Sequence, residues 1–141
     1  MQTFLPYPNF HQSAKCLDRQ RLYRQRIEAR QIIDILDGNA KSTAWQNHPA
    51  VLMWTGCSSA LKEYFNTISQ EWINRGYQHN MRFYPSQIVL KCPVWFGNME
   101  FHVSHQSNLV RKLPEHYKRY FPDVPDNLPY VWPRGDWSNA T

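Results

Sequence analysis

The sequence predicts an all-α fold, a compact single domain of three to four helices with extended N- and C-terminal arms. Apolar residues recur at helical spacing in two long segments, and a glycine that favours a helix end follows each of them, at Gly38 and Gly76. Prolines cluster near both ends of the chain, where they disfavour helix and favour extended backbone. Together these features indicate a helical core flanked by two extended arms.

The chain length and composition fit one domain over residues 1–141. A chain of 141 residues is too short for two separate cores. Its 6 tryptophans, 8 tyrosines and 7 phenylalanines supply enough apolar surface to bury a core, which argues against disorder over most of the chain. The Pro-rich tail, 122–141, is expected to lie extended on the surface.

The first long helix is predicted from Ser13 to about Leu36, because apolar side chains recur through this segment at helical spacing. The Gly38-Asn39 pair supplies its C-terminal stop. Residues 1–10 hold two prolines and three aromatic residues and are expected to form an extended arm that lies on the core.

The second helical segment is predicted to begin at Asn47, a residue type that caps helices, with Pro49 in the first turn. It is expected to end before Gly76, and Gly56 is expected to bend or divide it. Farther along, residues 77–97 show no clear period, and 87–90 read as either a short strand or an extended segment.

Two shorter helices complete the prediction. The third is expected over about 104–112, and Pro114 is expected to open a fourth that reaches about residue 121.

Several classes of protein are excluded by motifs that the chain lacks. The three cysteines are far apart with no Cys-x-x-Cys pair, and the six histidines form no His-Glu-x-x-His pattern, so we expect no metal and no cofactor. The odd cysteine count and an N-terminus without signal-peptide features predict reduced thiols and a cytoplasmic protein. Cys16 and Cys57 are expected to be small core residues. A membrane span is excluded because no run of about eighteen apolar residues occurs.

The positive charge is concentrated on the first predicted helix. Residues 15–30 contain six basic and two acidic side chains, which is most of the net charge of +5. Five of the six basic residues are arginines, whose planar guanidinium groups suit phosphate recognition. The alternative is a solvated helix face with ion pairs between residues four apart, such as Arg24 with Glu28.

Glu28 is an isolated carboxylate on this basic helix. Helical spacing places it on one face with Arg21, Arg24, Gln25 and Gln31. A carboxylate that faces DNA repels phosphates, so its position needs a reason. It either pairs with Arg24 and supports the helix, or acts as an acid/base group over a scissile sugar.

The segment from Leu17 to Glu28 resembles the first helix of T4-type pyrimidine dimer DNA glycosylases, the endonuclease V family. That helix has the pattern L-x-D-Q-H-L-x-x-E-Y-R-E-L, and its last glutamate is catalytic. Gln20 matches the glutamine of this pattern, Arg21 stands where it has histidine, and Glu28 falls on the catalytic glutamate. Residues 48–77 resemble the second helix of the family, and residues 117–120 resemble its aromatic-basic patch.

The chain is also similar, over nearly its whole length, to small bacterial and phage proteins that are filed with these glycosylases. Five motifs carry this similarity: MQTFLPY, NHPAVxMW, RGY, SHQSNLxRK and PDxLPYVWP. They stand here at 1–7, 47–54, 75–77, 104–112 and 125–133.

The resemblance implies a DNA glycosylase with an AP-lyase step that removes pyrimidine dimers or another damaged or modified base from double-stranded DNA. It implies a monomer without a cofactor, in the cytoplasm of a bacterial or phage-infected cell. Glu28 would be the acid/base, and the α-amine of Met1 the nucleophile, since the bulky Gln2 favours retention of the initiator methionine. The residues expected to contact DNA are Gln20, Arg21, Arg24, Arg26, Arg30, His48, His105, Asn108, Tyr117, Lys118 and Tyr120.

Alternatives remain open for some of these residues and for the whole chain. His48 could serve only as a helix cap, and the polar cluster 104–108 could cap a helix and form a buried hydrogen-bond network. The chain could also be a non-catalytic DNA-binding protein on the same scaffold, or bind or process RNA. A carboxylate at Glu28 favours the enzyme, because a pure DNA-binding protein gains little from it.

Overall fold

The computed structural model describes residues 1–42, 44–86 and 91–133. These residues form helices and connecting segments, with no strand in the described ranges, so the all-α prediction is confirmed. The helices are α1 (Phe10–Cys16), α2 (Arg19–Leu36), α3 (Pro49–Leu52), α4 (Ser58–Asn74), α5 (Met99–Lys112) and α6 (Pro114–Tyr117). No helix in this part of the chain is long and apolar enough to cross a membrane.

Helices α2 and α4 pack against each other and form the centre of the core. Leu22 and Ile32 of α2 are completely buried, and so are Leu61, Phe65 and Ile68 of α4. In α4 these positions recur every three to four residues, and in α2 Ala29 and Ile33 are also buried at helical spacing, so each helix turns one apolar stripe to the other. Arg19 and Arg24 of α2 lie outside this stripe and are exposed.

The predicted helix from Ser13 to Leu36 is wrong in one respect, because the structure divides it into α1 and α2. Leu17 has extended backbone (φ −68°, ψ 138°), and Asp18 is the N-cap of α2. The Asp18 carboxylate accepts the backbone N–H of Arg21 at 3.4 Å, which satisfies a free donor of the new helix. An aspartate that caps one helix also ends the helix before it.

The second predicted segment is divided at Gly56, as expected, into α3 and α4. Gly56 and Gly76 have φ values of +76° and +93°, a region that favours glycine. Gly76 therefore ends α4 as predicted. The predicted cap Asn47 is wrong, because His48 caps α3: its Nδ1 accepts the N–H of Ala50 at 3.0 Å.

Two other helix boundaries differ from the prediction. Helix α5 begins at Met99, before residue 104, because the Asn98 side chain accepts the N–H of Phe101 at 3.1 Å and caps it there. Helix α6 ends at Tyr117, short of residue 121. Residues 122–133 continue through turns and irregular backbone, while the segment 87–90 and the tail 134–141 lie outside the described residues.

Helix α5 binds the N-terminal arm through buried polar side chains. His102 Nδ1 lies 2.7 Å from the carbonyl of Leu5, and His105 Nδ1 accepts the Leu5 N–H at 3.0 Å. Gln106 Nε2 donates to the carbonyl of Pro6 at 2.8 Å. The arm is therefore embedded in the core, with Leu5 completely buried, whereas the sequence predicted an arm lying on its surface.

The same helix binds the C-terminal arm from its neighbouring turns. Ser107 Oγ accepts the N–H of Leu128 at 3.0 Å, and Asn108 Nδ2 donates to the Leu128 carbonyl at 3.2 Å. Ser104 Oγ accepts the N–H of Val131 at 3.2 Å. We call the six side chains that hold the two arms the α5 clasp: His102, Ser104, His105, Gln106, Ser107 and Asn108.

Candidate active site

A cleft of about 380 Å³ opens where α2 meets both arms, and we call it the α2 cleft. It brings together six of the residues predicted to be catalytic or to contact DNA, from three separate stretches of sequence. Its lining residues are Met1, Gln2, Phe4, Gln20, Arg21, Arg24, Gln25, Glu28, His48, Lys112, Tyr130 and Trp132.

The Glu28 carboxylate lies in this cleft with a side-chain exposure of 16%. Gln25 Nε2 donates to its Oε2 at 3.1 Å, and Arg24 Nη2 lies 3.7 Å from its Oε1. The Arg24 side chain is 65% exposed, so this ion pair is well solvated and contributes little stability. The buried amide of Gln25, more than Arg24, therefore fixes the orientation of the carboxylate.

Gln25 uses both ends of its amide inside the protein, where it is 1% exposed. Besides Glu28, its Nε2 donates to the carbonyl of Gln2 at 2.9 Å. Its Oε1 accepts the N–H of Phe4 at 2.9 Å and the hydroxyl of Tyr64. One side chain thus ties the N-terminal arm to the Glu28 carboxylate, and the sequence prediction did not include it.

Met1 and His48 line the same cleft but do not belong to α2. Burial and the positive charge of the Met1 amine lower the pKa of His48. The neutral imidazole that results can accept the N–H of Ala50 through Nδ1, as the cap requires. His48 therefore acts as a helix cap and at the same time lines the cleft.

The C-terminal arm contributes two aromatic rings that the sequence prediction missed. The rings of Tyr130 and Trp132 lie 5.6 Å apart between centroids, and Trp132 meets His48 edge to face at 6.1 Å. Burial raises the pKa of Tyr130, and the nearby Gln2 side chain and the charge of Arg111 oppose this rise. The signal for these residues was the PDxLPYVWP motif, but its prolines indicated a surface tail. We call His48, Tyr130 and Trp132 the aromatic wall.

Arg26 and Arg30, predicted to contact DNA, do not line the cleft. Arg26 is 5% exposed, and its guanidinium lies between the rings of Tyr23 and Trp72, 5.0 and 4.8 Å from their centroids. Its Nη1 donates to Nδ1 of His79 at 2.7 Å. A guanidinium enclosed in this way packs the core and is not available to a phosphate.

Three more predicted DNA contacts need correction because their side chains are buried. His105 and Asn108 are 1% and 0% exposed and belong to the α5 clasp, so the hydrogen-bond alternative holds for them. Tyr117 is 0% exposed, and its hydroxyl bonds both the N–H and the carboxylate of the residue that caps α2. Lys118 and Tyr120 are exposed and stay available as predicted contacts.

The thiols and the acidic groups form no other centre in the described ranges. Cys16 and Cys57 are buried, as predicted, and burial raises the pKa of Cys16 to about 12. Cys92 is exposed. No group of three His, Cys, Asp or Glu side chains is placed to hold a metal ion in residues 1–42, 44–86 and 91–133.

Comparison with known proteins gives one match. No curated protein and no solved structure matches the chain. A family model described as pyrimidine dimer DNA glycosylase matches residues 1–85, which include α1 to α4, Met1, Glu28 and His48. Tyr130 and Trp132 lie beyond the matched residues. Since the match covers more than half of the 141 residues, the chain belongs to the pyrimidine dimer DNA glycosylase family.

Proposed function

We propose that the protein excises pyrimidine dimers or another damaged base from double-stranded DNA and then cleaves the strand by an AP-lyase step. The observation that carries this proposal is the α2 cleft, where Met1 and the oriented Glu28 carboxylate face one space beside exposed arginine. A nucleophile, an acid/base group and phosphate-binding cations are the parts that such a reaction needs. The protein would act as a monomer.

The α-amine of Met1 would be the nucleophile. An α-amine is less basic than a lysine side chain in general, so a larger fraction is neutral near pH 7. The neutral amine attacks C1′ of the target nucleotide and forms a carbon–nitrogen bond as the glycosidic bond breaks. The base leaves with the bonding electrons and takes up a proton. Loss of a proton from nitrogen and opening of the sugar ring give a Schiff base.

Glu28 would transfer protons at the sugar. In the lyase step its carboxylate removes a proton from C2′, the electrons form a C2′–C3′ double bond, and the 3′ phosphate leaves. Water then hydrolyses the Schiff base and restores the amine. The hydrogen bond from Gln25 at 3.1 Å holds the carboxylate toward this space, which supports the role of a base in fixed orientation.

DNA would be held by the basic rim of the cleft. Gln20, Arg21 and Arg24 line it from α2, and Lys112 lines it from the end of α5. Such contacts to phosphates give affinity and salt dependence and place the duplex over the cleft. Lys118, with Tyr120, would extend the contact along the backbone.

The mechanism is tested by borohydride trapping on a duplex that holds one pyrimidine dimer. We expect a covalent protein–DNA adduct, which mass spectrometry of the digested adduct assigns to Met1, after the mass of the mature N-terminus has been measured. Acetylation of the α-amine should abolish formation of the adduct. Base excision without any adduct or strand cleavage would leave a glycosylase that uses water. DNA binding with neither an adduct nor base excision would favour the alternative of a non-catalytic DNA-binding protein.

The role of Glu28 is tested by Glu28→Gln, which keeps the shape of the side chain and removes the base. We expect strand cleavage to fall by about 100-fold or more, as for the loss of a positioned general base. The matched control is Glu115→Gln, since this exposed glutamate does not line the cleft. Unchanged cleavage by Glu28→Gln would remove Glu28 from the mechanism.

A further inference from the structure

We propose that Cys57 and Cys92 form a peroxide-reactive thiol pair, which hydrogen peroxide converts to an intramolecular disulfide. Both residues line a second cleft, of about 340 Å³, which we call the thiol cleft. Two stretches of chain, 52–57 and 91–95, supply most of its lining. The thiol cleft and the α2 cleft share no described lining residue, so this inference stands apart from the proposed function.

Two tryptophans bring the cysteines to one cleft. The ring of Trp95 meets that of Trp54 edge to face at 4.9 Å between centroids, and its Nε1 donates to the carbonyl of Met53 at 2.8 Å. Both tryptophans are buried. Cys57 follows Trp54 by three residues, and Cys92 precedes Trp95 by three. The contact between the rings therefore holds two distant parts of the sequence, each with one thiol, around the same space.

The two thiols differ in their access to solvent. Cys92 is exposed and lies in irregular backbone, whereas Cys57 is buried and is the N-cap residue of α4. A small oxidant in water meets the exposed thiol first, because susceptibility to oxidation follows exposure and thiolate character. Cys57 then stands as the second thiol, which resolves the oxidised form of Cys92.

Positive groups surround Cys57 and favour its thiolate during the second step. A side-chain carbon at Gly56 would lie 3.9 Å from Nζ of Lys91, so this ammonium group stands beside the residue before Cys57. Burial raises the pKa of the Cys57 thiol, and the charge of Lys91 opposes this rise. The N-terminus of α4, a helix of 17 residues, also favours a negative charge at this position.

The reaction consumes one peroxide and forms two water molecules. The Cys92 thiolate attacks one oxygen of hydrogen peroxide, the O–O bond breaks, and the leaving hydroxide takes up a proton to become water. Cys92 is then a sulfenic acid. The sulfur of Cys57 attacks the sulfur of Cys92, the S–O bond breaks, and the leaving hydroxide combines with the Cys57 proton as the second water. Both sulfur atoms are oxidised, and the peroxide is reduced.

Cys16 provides a thiol of the same chain that this reaction should not reach. It is buried and does not line the thiol cleft, and its Sγ donates to the carbonyl of Ser13 at 3.3 Å. Burial raises its pKa to about 12, so it stays protonated near neutral pH. Two of the three thiols should therefore react with peroxide, and the third should remain free.

The test treats the reduced full-length protein with a small molar excess of hydrogen peroxide at pH 7 and then blocks the remaining thiols with N-ethylmaleimide. We expect the intact mass to show one blocked thiol and the loss of two hydrogens. Peptide mapping without reductant should join the peptides of Cys57 and Cys92 in a monomer, and dithiothreitol should restore both thiols.

Variants separate the two roles. Cys92→Ser should slow thiol loss by about tenfold or more, because it removes the exposed thiol that reacts first. Cys57→Ser should leave a sulfenic acid at Cys92, which dimedone labels, and no intramolecular disulfide. The matched control, Cys16→Ala, should form the disulfide at the rate of the wild type.

Three results in the wild type would overturn the pair. They are a dimer linked through Cys92, oxidation of Cys92 beyond the sulfenic acid while Cys57 stays reduced, and loss of the Cys16 thiol as fast as the other two. Each is read from the same peptide map. None depends on DNA cleavage, so failure of the proposed function would leave this test unchanged.

Discussion

Gln25 shows how one residue can determine the geometry of the whole cleft. A glutamine amide has two donor hydrogens and an acceptor oxygen, and here they meet the carbonyl of Gln2, the carboxylate of Glu28, the N–H of Phe4 and the hydroxyl of Tyr64. A buried amide with all its groups satisfied is costly to replace, because each partner is left unpaired. Gln25 is therefore a positioning residue, since it acts through Glu28 and the arm.

We predict that Gln25→Leu lowers both activity and stability. Loss of the donor to Glu28 frees the carboxylate, and a misplaced base can reduce kcat by about 100-fold. The carbonyl of Gln2 and the N–H of Phe4 would lose their hydrogen-bond partner, and these unpaired groups should lower the free energy of unfolding by about 3 kcal/mol. KM for DNA should change little, because Gln25 is buried. Single-turnover cleavage and urea unfolding measure the two effects.

The control for this prediction is Tyr64→Phe. Its hydroxyl bonds Gln25 Oε1 and the carbonyl of Phe4 but does not touch Glu28. We expect a loss of about 1 to 2 kcal/mol in stability with kcat nearly unchanged. If both variants lose kcat in proportion to stability, Gln25 has only a structural role.

Tyr117 is a second residue whose hydroxyl reaches far beyond its own helix. It accepts the N–H of Asp18 at 2.9 Å and also bonds the Asp18 carboxylate, which caps α2. Burial alone would raise the pKa of Asp18, but the hydrogen bond from the Tyr117 hydroxyl and the charge and hydrogen bonds of Arg21 outweigh it and lower this pKa. The pair joins the start of α2 to α6.

We predict that Tyr117→Phe destabilises the protein by about 2 kcal/mol at pH 7, because it leaves a buried N–H without its partner and weakens the cap. A lowered folded-state pKa at Asp18 adds stability above the unfolded pKa, and this part is lost as the pH falls through the folded pKa. The difference between variant and wild type should therefore shrink in acid. Urea unfolding at pH 7 and pH 3 measures it, and a constant difference would contradict the linkage.

At the scale of elements, α5 is the helix on which both arms depend. His102 donates through Nδ1 to Leu5 and accepts the N–H of Gly97 through Nε2 at 3.0 Å, which fixes a neutral tautomer. His105 is also neutral, since burial and the nearby His102 lower its pKa to about 3. Protonation of either ring would place an uncompensated charge in the clasp.

We predict that acid weakens the protein through this clasp. The unfolded chain takes up protons on these histidines near pH 6.5, whereas the folded protein does not, so stability falls as the pH drops from 6.5 toward 3. His105→Asn keeps an acceptor for the Leu5 N–H and removes the titrating group. It should be less stable than the wild type at pH 7, because it loses the ring contact with Phe101 at 4.4 Å.

The measurement is urea unfolding at pH 7 and pH 5, followed by circular dichroism. His105→Asn should lose less stability than the wild type between these two values. A residual loss is expected from His102, whose pKa is also lowered by burial. An equal loss in variant and wild type would show that His105 does not govern the acid response.

The elements also show where sequence reasoning succeeds. Periodicity gave the two long apolar faces, and the glycines gave helix ends, because both signals are local. The break at Asp18 was missed because the apolar periodicity runs through it, and the contact with Tyr117 that also holds Asp18 comes from a distant part of the sequence. The polar run in α5 was ambiguous for the same reason, since its partners lie in the two arms.

The residues of the candidate site also divide into those that the sequence predicts and those that depend on contacts with distant parts of the chain. Met1 and Glu28 could be predicted from the resemblance, and His48 from its place before Pro49 as a cap or a site residue; all three line one cleft. Arg26 was misplaced because charge pattern along one helix does not tell which arginine the aromatic rings enclose. The aromatic wall could not be predicted, because prolines indicate extended backbone and not the surface against which that backbone packs.

At the scale of the whole molecule, the net charge of +5 is less informative than its distribution between buried and exposed arginines. Arg24 is 65% exposed at the rim of the cleft, whereas Arg26, two residues later, is 5% exposed in the core. The same residue type thus lies exposed at the cleft rim at one position, where we propose that it contacts DNA, and packs the core at the other. Salt dependence of DNA binding separates these roles, because only a phosphate contact releases counterions.

We predict that Arg24→Gln reduces the slope of log Kd against log salt concentration by about 1, the value for one lost phosphate contact. Arg26→Gln should leave the slope unchanged but lower the melting temperature, because it empties the space between two rings. Fluorescence anisotropy with a labelled duplex between 50 and 200 mM salt, about the range over which such contacts act, measures both. An unchanged slope for Arg24→Gln would exclude it from phosphate binding, and a reduced slope for Arg26→Gln would mean that its guanidinium leaves the core when DNA binds.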